Sequence, residues 1–311
     1  MSHTTSTVPE PQSSAAEAAG TAGLSDMLVF QDDMPAAENA FRYAEALAGE
    51  GGGHVIGLMF GLIPATVING YMGAGAEAWA NLRNESLDEA SRLWKTLKRR
   101  FDRSRESVEL RRADAFIEET GSILAKHAHY ADISIIGWPS EGERYIEEGL
   151  LEGALFDSGR PVLAVPQGWT TYGSPKNILI AWKSTPEAAR AVNEALPLLR
   201  KASAVTIVIV DEGDKRDMLD EPDPGAAIAQ HLAKKGVKVS VKQVPRLGRS
   251  TVEAVLDEAR FAGAELLVAG GYGHSRFREW IFGGFTRDIL RRPRSRYCCR
   301  TDAMNTAAPR V

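Results

Sequence analysis

The stretch AELLVAGGYGHSRFREWIFGGFT, at residues 264–286, decides the fold of this chain. It opens with a largely apolar run, which leads into Gly270 and Gly273 in a Gly-x-x-Gly pattern, and Gly283 and Gly284 follow after nine more residues. Glycines let a backbone approach an anion closely, and the free N–H groups of a following helix supply donors and a positive dipole end. This order of strand, glycine loop and helix predicts a phosphate-binding turn at the end of a parallel strand.

The chain contains this plan twice. Met27-Leu-Val-Phe-Gln-Asp-Asp-Met-Pro35 corresponds to Ile178-Leu-Ile-Ala-Trp-Lys-Ser-Thr-Pro186, and Ala131-Asp-Ile-Ser-Ile-Ile-Gly137 corresponds to Ala264–Gly270. The first pair joins an apolar strand to a polar turn and the start of a helix, and the second is a strand that ends in glycine. Because the repeat is longer than about 100 residues, it indicates a duplicated domain rather than a solenoid.

Apolar runs alternate with helical patterns in both halves, which is typical of a parallel α/β sheet buried on both faces. We predict two tandem doubly wound domains, each with a mainly parallel five-stranded sheet. The predicted domains are 25–167 and 176–300, joined by a linker at 168–175 and flanked by a disordered tail at 1–24 and a second tail at 301–311. Strands are predicted near 27–31, 54–60, 106–112, 132–137 and 161–165, and then near 177–182, 204–211, 237–244, 265–270 and 294–300.

Bulk composition excludes several classes of protein. A hydrophobic content of 44% with 25% charged residues is that of a soluble globular chain, and a net charge of −4 argues against a general nucleic-acid binder. No apolar run reaches the length of about 18 residues that a membrane span needs. The two cysteines, Cys298 and Cys299, are adjacent, so they indicate neither a disulfide framework nor a zinc site. We therefore expect a cytoplasmic protein.

The paired halves and the Gly270 loop resemble the universal stress protein family in its tandem form, over about residues 27–292. The resemblance implies a Rossmann-like sheet of the adenine nucleotide alpha hydrolase type in each half. It also implies a role in stress response or signalling without turnover, with ATP bound beside the glycine loop and magnesium held largely by phosphate oxygens. The residues implied to hold the nucleotide are Ala181, Lys183, Val210, Gly270, Gly273, His274, Ser275, Gly283, Gly284 and Thr286.

Three positions depart from the pattern of ATP-binding members. Lys183 stands where the family has an aspartate at the nucleoside end, whereas the first half keeps Asp32 there. The first-half loop, however, has Pro139 and Ser140, which remove a backbone donor and replace Gly273. Gly284 replaces the usual serine or threonine, and losing one hydrogen bond to a charged phosphate costs about 1.5–3 kcal/mol. Neither half carries the whole set of family residues.

The last predicted strand has an unsuitable composition. Pro293-Arg-Ser-Arg-Tyr-Cys-Cys-Arg-Thr-Asp302 is polar and basic, although a buried parallel strand should be apolar. Any codons for Tyr297-Cys298-Cys299 encode Leu-Leu when the frame is shifted by two bases. We therefore hypothesise a shift of reading frame after about Arg292.

Other candidate residues have structural alternatives. Ser275 could be a helix cap rather than a phosphate ligand, and Asp32 could serve a turn rather than a metal. His127 and His129 have no third ligand nearby and indicate a surface turn. No nucleophile–base pair is evident, so we expect no catalytic or metal residues and no enzyme. The alternatives are a scaffold that acts through protein contacts without binding nucleotide, and a slow nucleotide hydrolase. A regulatory protein and a homodimer or internal pseudo-dimer are the expected partners, without nucleic acid or membrane.

Overall fold

A computed structural model describes residues 23–64, 74–139, 146–211, 224–270 and 296–300. Strands and helices alternate along both halves. The strands are β1 (Asp26–Phe30), β2 (His54–Leu62), β3 (Ser107–Ala115), β4 (Ile133–Trp138), β5 (Val162–Pro166), β6 (Asn177–Ala181), β7 (Ala204–Asp211), β8 (Val239–Pro245), β9 (Leu266–Gly270) and β10 (Arg296–Arg300). The helices are α1 (Pro35–Gly51), α2 (Ala74–Phe101), α3 (Thr120–Ala128), α4 (Glu147–Asp157), α5 (Pro186–Glu194), α6 (Leu196–Lys201), α7 (Pro224–Lys234) and α8 (Thr251–Phe261).

The strands form one sheet in the order β3-β2-β1-β4-β5-β10-β9-β6-β7-β8. Neighbouring strands within each half are parallel, and β5 and β10 pair in antiparallel fashion. Each half therefore has its first strand at the centre of a doubly wound sheet, which creates a crevice beyond the carboxyl ends of the strands. The predicted α/β fold is confirmed, with five parallel strands in the first half and the four strands β6–β9 in the second.

The backbone of β10 extends the second half toward the first. Cys298 lies opposite Leu163 in the antiparallel pair and opposite Val268 in the parallel pair with β9. Leu163 in turn lies opposite Ile135 of β4, and Ile135 is the counterpart of Val268 in the repeat. Leu163 and Cys298 are thus equivalent positions that face each other, so the strand pairing follows an approximate two-fold axis between the halves.

The repeat extends to the hydrogen bonds at the start of the strands. The Asp132 carboxylate accepts hydrogen bonds from the backbone N–H groups of Ser25 and Asp26, at 2.7 and 3.0 Å. In the second half the Glu265 carboxylate accepts one from the N–H of Lys176, at 2.6 Å. An acidic side chain therefore ties the fourth strand of each half to the beginning of its first strand.

Both faces of the central strands are buried, as their continuous apolar runs predict, whereas the edge strands β3 and β8 are more exposed. Alternate residues of one strand enter different cores: Leu28 and Phe30 lie in one cluster, whereas Met27 and Val29 lie in the other. Helix α1 covers the second face with Phe41 and Leu47. Among the described residues, no helix combines the length and the apolar character that crossing a membrane requires.

Helix α2 is the main addition to the first half. Leu97 and Ala90 pack on Met59 of β2, and the Phe101 ring stacks on Phe41 with centroids 4.3 Å apart. The sequence predicts a charged helix over residues 88–103, and α2 begins earlier, at Ala74. One side of this helix is fixed to the body of the protein, and the other faces solvent.

Candidate functional site

The predicted nucleoside end lies where β6 and β7 finish. Ala181 is the last residue of β6 and pairs with Val208 of β7 on one side and Ala269 of β9 on the other. Val210 follows Val208 by two residues, so its side chain projects from the same face. Ala181 and Val210 are both partly buried against the same apolar cluster. The structure thus brings these two predicted residues together at the carboxyl edge of the sheet.

Lys183 lies just beyond β6 and is exposed. The N–H of the preceding Trp182 donates a hydrogen bond to the carbonyl of Val208, at 2.9 Å. This bond continues the pairing of the two strands past Ala181 and fixes the backbone that leads to Lys183. Lys183 therefore lies at the carboxyl edge of the sheet, two residues beyond Ala181.

Gly270, at the end of β9, is required by packing. A Cβ atom at this position would lie 2.6 Å from the backbone nitrogen of Ala188, in the first turn of α5. Gly137 in the first half meets the same restriction, since its Cβ would lie 2.2 Å from the carbonyl oxygen of Ala36 in α1. The glycine at this point allows close approach of helix and strand in both halves, whether or not a phosphate binds.

The remaining predicted residues lie outside the described part of the chain. These are Gly273, His274, Ser275, Gly283, Gly284 and Thr286. Their assignment to the phosphate end stays a prediction from the sequence.

Aromatic side chains occupy the corresponding place in the first half. Phe30 pairs with Leu58 as Ala181 pairs with Val208, so Phe30 and Phe60 are the counterparts of Ala181 and Val210. Both rings are buried, with centroids 6.1 Å apart. Trp138, which follows Gly137, is buried in the same cluster. Three large rings therefore fill the first half where the second half has an alanine and a valine.

Asp32, at the turn after β1, lies in a partly buried and acidic setting. The pKa of Asp32 is raised from 3.8 to about 6, chiefly by burial and to a smaller extent by the nearby carboxylates of Glu147 and Asp33. A hydrogen bond from the Met34 N–H, at 2.9 Å, and the charge of Arg100 act in the opposite direction. Asp32 therefore serves the turn before α1, where its carboxylate accepts a hydrogen bond from the backbone of Met34.

Sequence analysis missed the filling of the first half. It placed the difference between the halves in the loop with Pro139 and Ser140 and in the exchange of Asp32 for Lys183. The repeat already aligns Phe30 with Ala181, and this alignment shows that the first half has a much larger side chain at the end of its first strand. What the sequence lacks is the strand register that brings Phe60 beside Phe30.

The two histidines singled out in the sequence do not lie in a single turn. His127 belongs to α3, and burial lowers its pKa. His129 follows the helix, and its Nε2 lies 3.1 Å from the carbonyl oxygen of Asp157. Within the described ranges, no group of three or more histidine, cysteine or acidic residues is arranged to hold a metal ion.

The sequence profile of the universal stress protein family matches residues 175–294. The second half is a universal stress protein domain. No curated protein sequence matched the chain. The matched range spans β6–β9 and the whole glycine loop, so this universal stress protein domain includes every residue predicted to contact a nucleotide.

Solved structures of similar fold extend the comparison to both halves. A universal stress protein from Archaeoglobus fulgidus aligns with 89% of this chain and 96% of its own, with a TM-score of 0.59 and 18% identity. A functionally unknown protein from Pseudomonas aeruginosa aligns with 92% of this chain and 95% of its own, with a TM-score of 0.54 and 14% identity. These likenesses show that the first half shares the fold of the universal stress protein domain.

Proposed function

We propose that the chain is a tandem universal stress protein that binds ATP or a related adenine nucleotide in its second half only. It acts in stress response or signalling, in the cytoplasm, without turnover. The observation that supports this assignment best is the contrast between Ala181 and Val210 in one half and the buried rings of Phe30 and Phe60 in the other. The second half has small side chains at the nucleoside end, where the first half has large buried rings.

The residues of the second half fit an adenine nucleotide at both of its ends. Ala181 and Val210 offer an apolar surface for the base, and the exposed Lys183 offers a positive charge nearby. Gly270 leads into the glycine loop, whose residues 273–275 and 283–286 would supply backbone donors to the phosphates. Magnesium bound with the nucleotide would be held largely by phosphate oxygens.

The first half then serves as a companion domain. The buried rings of Phe30 and Phe60 exclude nucleotide from it, while its strand β5 pairs with β10 of the second half. If the nucleotide orders the glycine loop of the second half, it changes a surface to which a regulatory protein binds.

Two alternatives predict different measurements. A scaffold that binds no nucleotide is favoured by Lys183 and Gly284, which replace the family's polar contacts. A slow hydrolase would need an activated water, and the sequence offers no evident base. Phosphate release above that of a Gly273→Val variant would support the hydrolase.

The test is calorimetric titration of the full chain with ATP, with and without magnesium, beside the variant Val210→Phe. We expect one site per chain, and we expect Val210→Phe to weaken binding at least tenfold, because phenylalanine already fits the equivalent Phe60 position. Thermal denaturation of each variant establishes that the fold is retained.

Val241→Phe is the matched control. Val241 lies on β8 with its side chain on the opposite face of the sheet, so the same change in volume should leave ATP affinity unchanged. No heat and no thermal shift at millimolar ATP with the unaltered chain would overturn the proposal in favour of the scaffold.

A further inference from the structure

The outward face of α2 carries segregated charge. Residues spaced by three or four positions lie on one side of a helix, and the side opposite the core of α2 presents first acids and then cations. Leu97 and Ala90 define the side that packs on the sheet. The outward face, from its beginning to its end, consists of Glu77, Asn81, Glu85, Asp88, Arg92, Lys95 and Arg99, all exposed.

The charges on this face have no ion-pair partner among the residues that the structure describes. Lys98 forms an ion pair with Asp102, and Arg100 with Glu38, but both cations lie off the outward face. Across the described ranges, no ion pair involves any of the charged residues of the outward face. Arg99 donates to neutral acceptors, the carbonyl of Lys95 and the hydroxyl of Thr96.

The order of these charges lets two antiparallel copies of the face place the acids of one opposite the cations of the other. Glu85 and Asp88 precede Ala90 by five and two residues, and Arg92 and Lys95 follow it by two and five. An antiparallel second copy centred on Ala90 would set Asp88 opposite Arg92 and Glu85 opposite Lys95, each twice. A parallel copy would set like charges together, which is destabilising.

Access to the face also favours a second copy. The core of the protein lies behind α2 and the residues of the outward face are exposed, so a second chain can reach this face. The β5 edge, where a second chain could otherwise add to the sheet, is already paired with β10. Ion pairs at exposed sites are weak and screened by salt, so the contact would be reversible and strengthened at low ionic strength.

We propose that the outward face of α2 is a homodimer contact in which two α2 helices pair in antiparallel fashion through these four reciprocal ion pairs. This contact is independent of nucleotide binding. We expect weak self-association that decreases as the salt concentration rises, because exposed ion pairs contribute about 0–1 kcal/mol each and are screened by salt.

The test is sedimentation velocity of the full chain at 5–300 µM in 50 and 500 mM NaCl, with variants that reverse one block of charge. The variants Glu85→Lys/Asp88→Lys and Arg92→Glu/Lys95→Glu should each be monomeric, and an equimolar mixture of the two should form a heterodimer. The variant with all four reversals should regain the homodimer, because its face is again complementary to itself.

Glu118→Lys/Asp157→Lys is the matched control, since it adds the same charge at exposed sites away from α2 and should dimerise like the unaltered chain. Circular dichroism shows whether each variant keeps its helices. A monomeric unaltered chain at 300 µM in 50 mM NaCl would overturn the proposal. Dimerisation of either single-block variant at the affinity of the unaltered chain would also overturn it.

Discussion

The rings of Phe30 and Phe60 lie 6.1 Å apart at the carboxyl ends of β1 and β2, where the second half has Ala181 and Val210. Phe30 is 2% exposed and Phe60 is 6% exposed, so no space for a ligand remains between them. After duplication the two halves therefore kept one fold but diverged at the nucleoside end. Apolar burial stabilises the first half at the place where the second half has only the smaller side chains of Ala181 and Val210.

Replacing either strand-end glycine by alanine should destabilise the fold. In Gly137→Ala and Gly270→Ala the new Cβ would meet the backbone of α1 or α5, which cannot move as a flexible side chain can. We expect a loss of about 1–3 kcal/mol in the free energy of unfolding, measured by urea denaturation.

Gly149→Ala provides the matched control for the glycine substitutions. Gly149 lies in α4 and a Cβ there would meet nothing within 4 Å, so alanine should stabilise the helix slightly. Equal stability of Gly137→Ala and Gly149→Ala would show that α1 does not rest on Gly137.

The raised pKa of Asp32 should make the stability of the protein depend on pH. The folded state binds the proton more tightly than the unfolded state, so stability falls as pH rises from about 4 to about 6 and then stays at the lower level. In Asp32→Asn the side chain can still accept from the Met34 N–H but carries no charge. We expect it to stabilise the protein by on the order of 1–3 kcal/mol at pH 8 and not at pH 4.

Urea denaturation at both pH values measures this effect, and Asp33→Asn is the control on the exposed neighbouring carboxylate. At pH 8, Asp33→Asn should raise the free energy of unfolding by less than half of the amount seen with Asp32→Asn. A gain from Asp32→Asn that is the same at pH 4 and pH 8 would mean that Asp32 is not held in a buried environment.

The C-terminal strand predicts a property of the gene. The backbone of β10 lies between β5 and β9, whose residues Leu163 and Val268 are fully buried. A strand between two buried neighbours is expected to be apolar, whereas β10 contains Arg296 and Arg300. We expect the nucleotide sequence after the Arg292 codon to encode an apolar strand in another reading frame.

The same hypothesis makes a prediction about stability. A variant with Arg296→Val, Tyr297→Leu, Cys298→Leu, Cys299→Ser and Arg300→His, which reproduces the shifted frame, should unfold at a higher temperature than the unaltered chain. The variant Arg296→Lys/Arg300→Lys keeps the charge of the strand and should not raise the unfolding temperature. DNA that cannot encode an apolar strand in either other frame would contradict the hypothesis.

The sequence by itself determined the α/β fold, the duplication and the approximate bounds of the strands. Apolar runs such as Ile133–Gly137 and Leu266–Gly270 reveal strands because burial on both faces leaves no room for polar residues. The glycine loop likewise identified the family, since its spacing is a local property of the chain. These features depend on residues that are close together along the chain.

Only the tertiary structure decided which side chains meet at the ends of the strands and where the halves meet. Phe30 and Phe60 are 30 positions apart, and it is the parallel register of β1 and β2 that brings their rings together. Leu163 and Cys298 are equivalent and face each other because β5 and β10 run in opposite directions. Register between distant strands is set by packing of the whole sheet, which no local pattern of residues records.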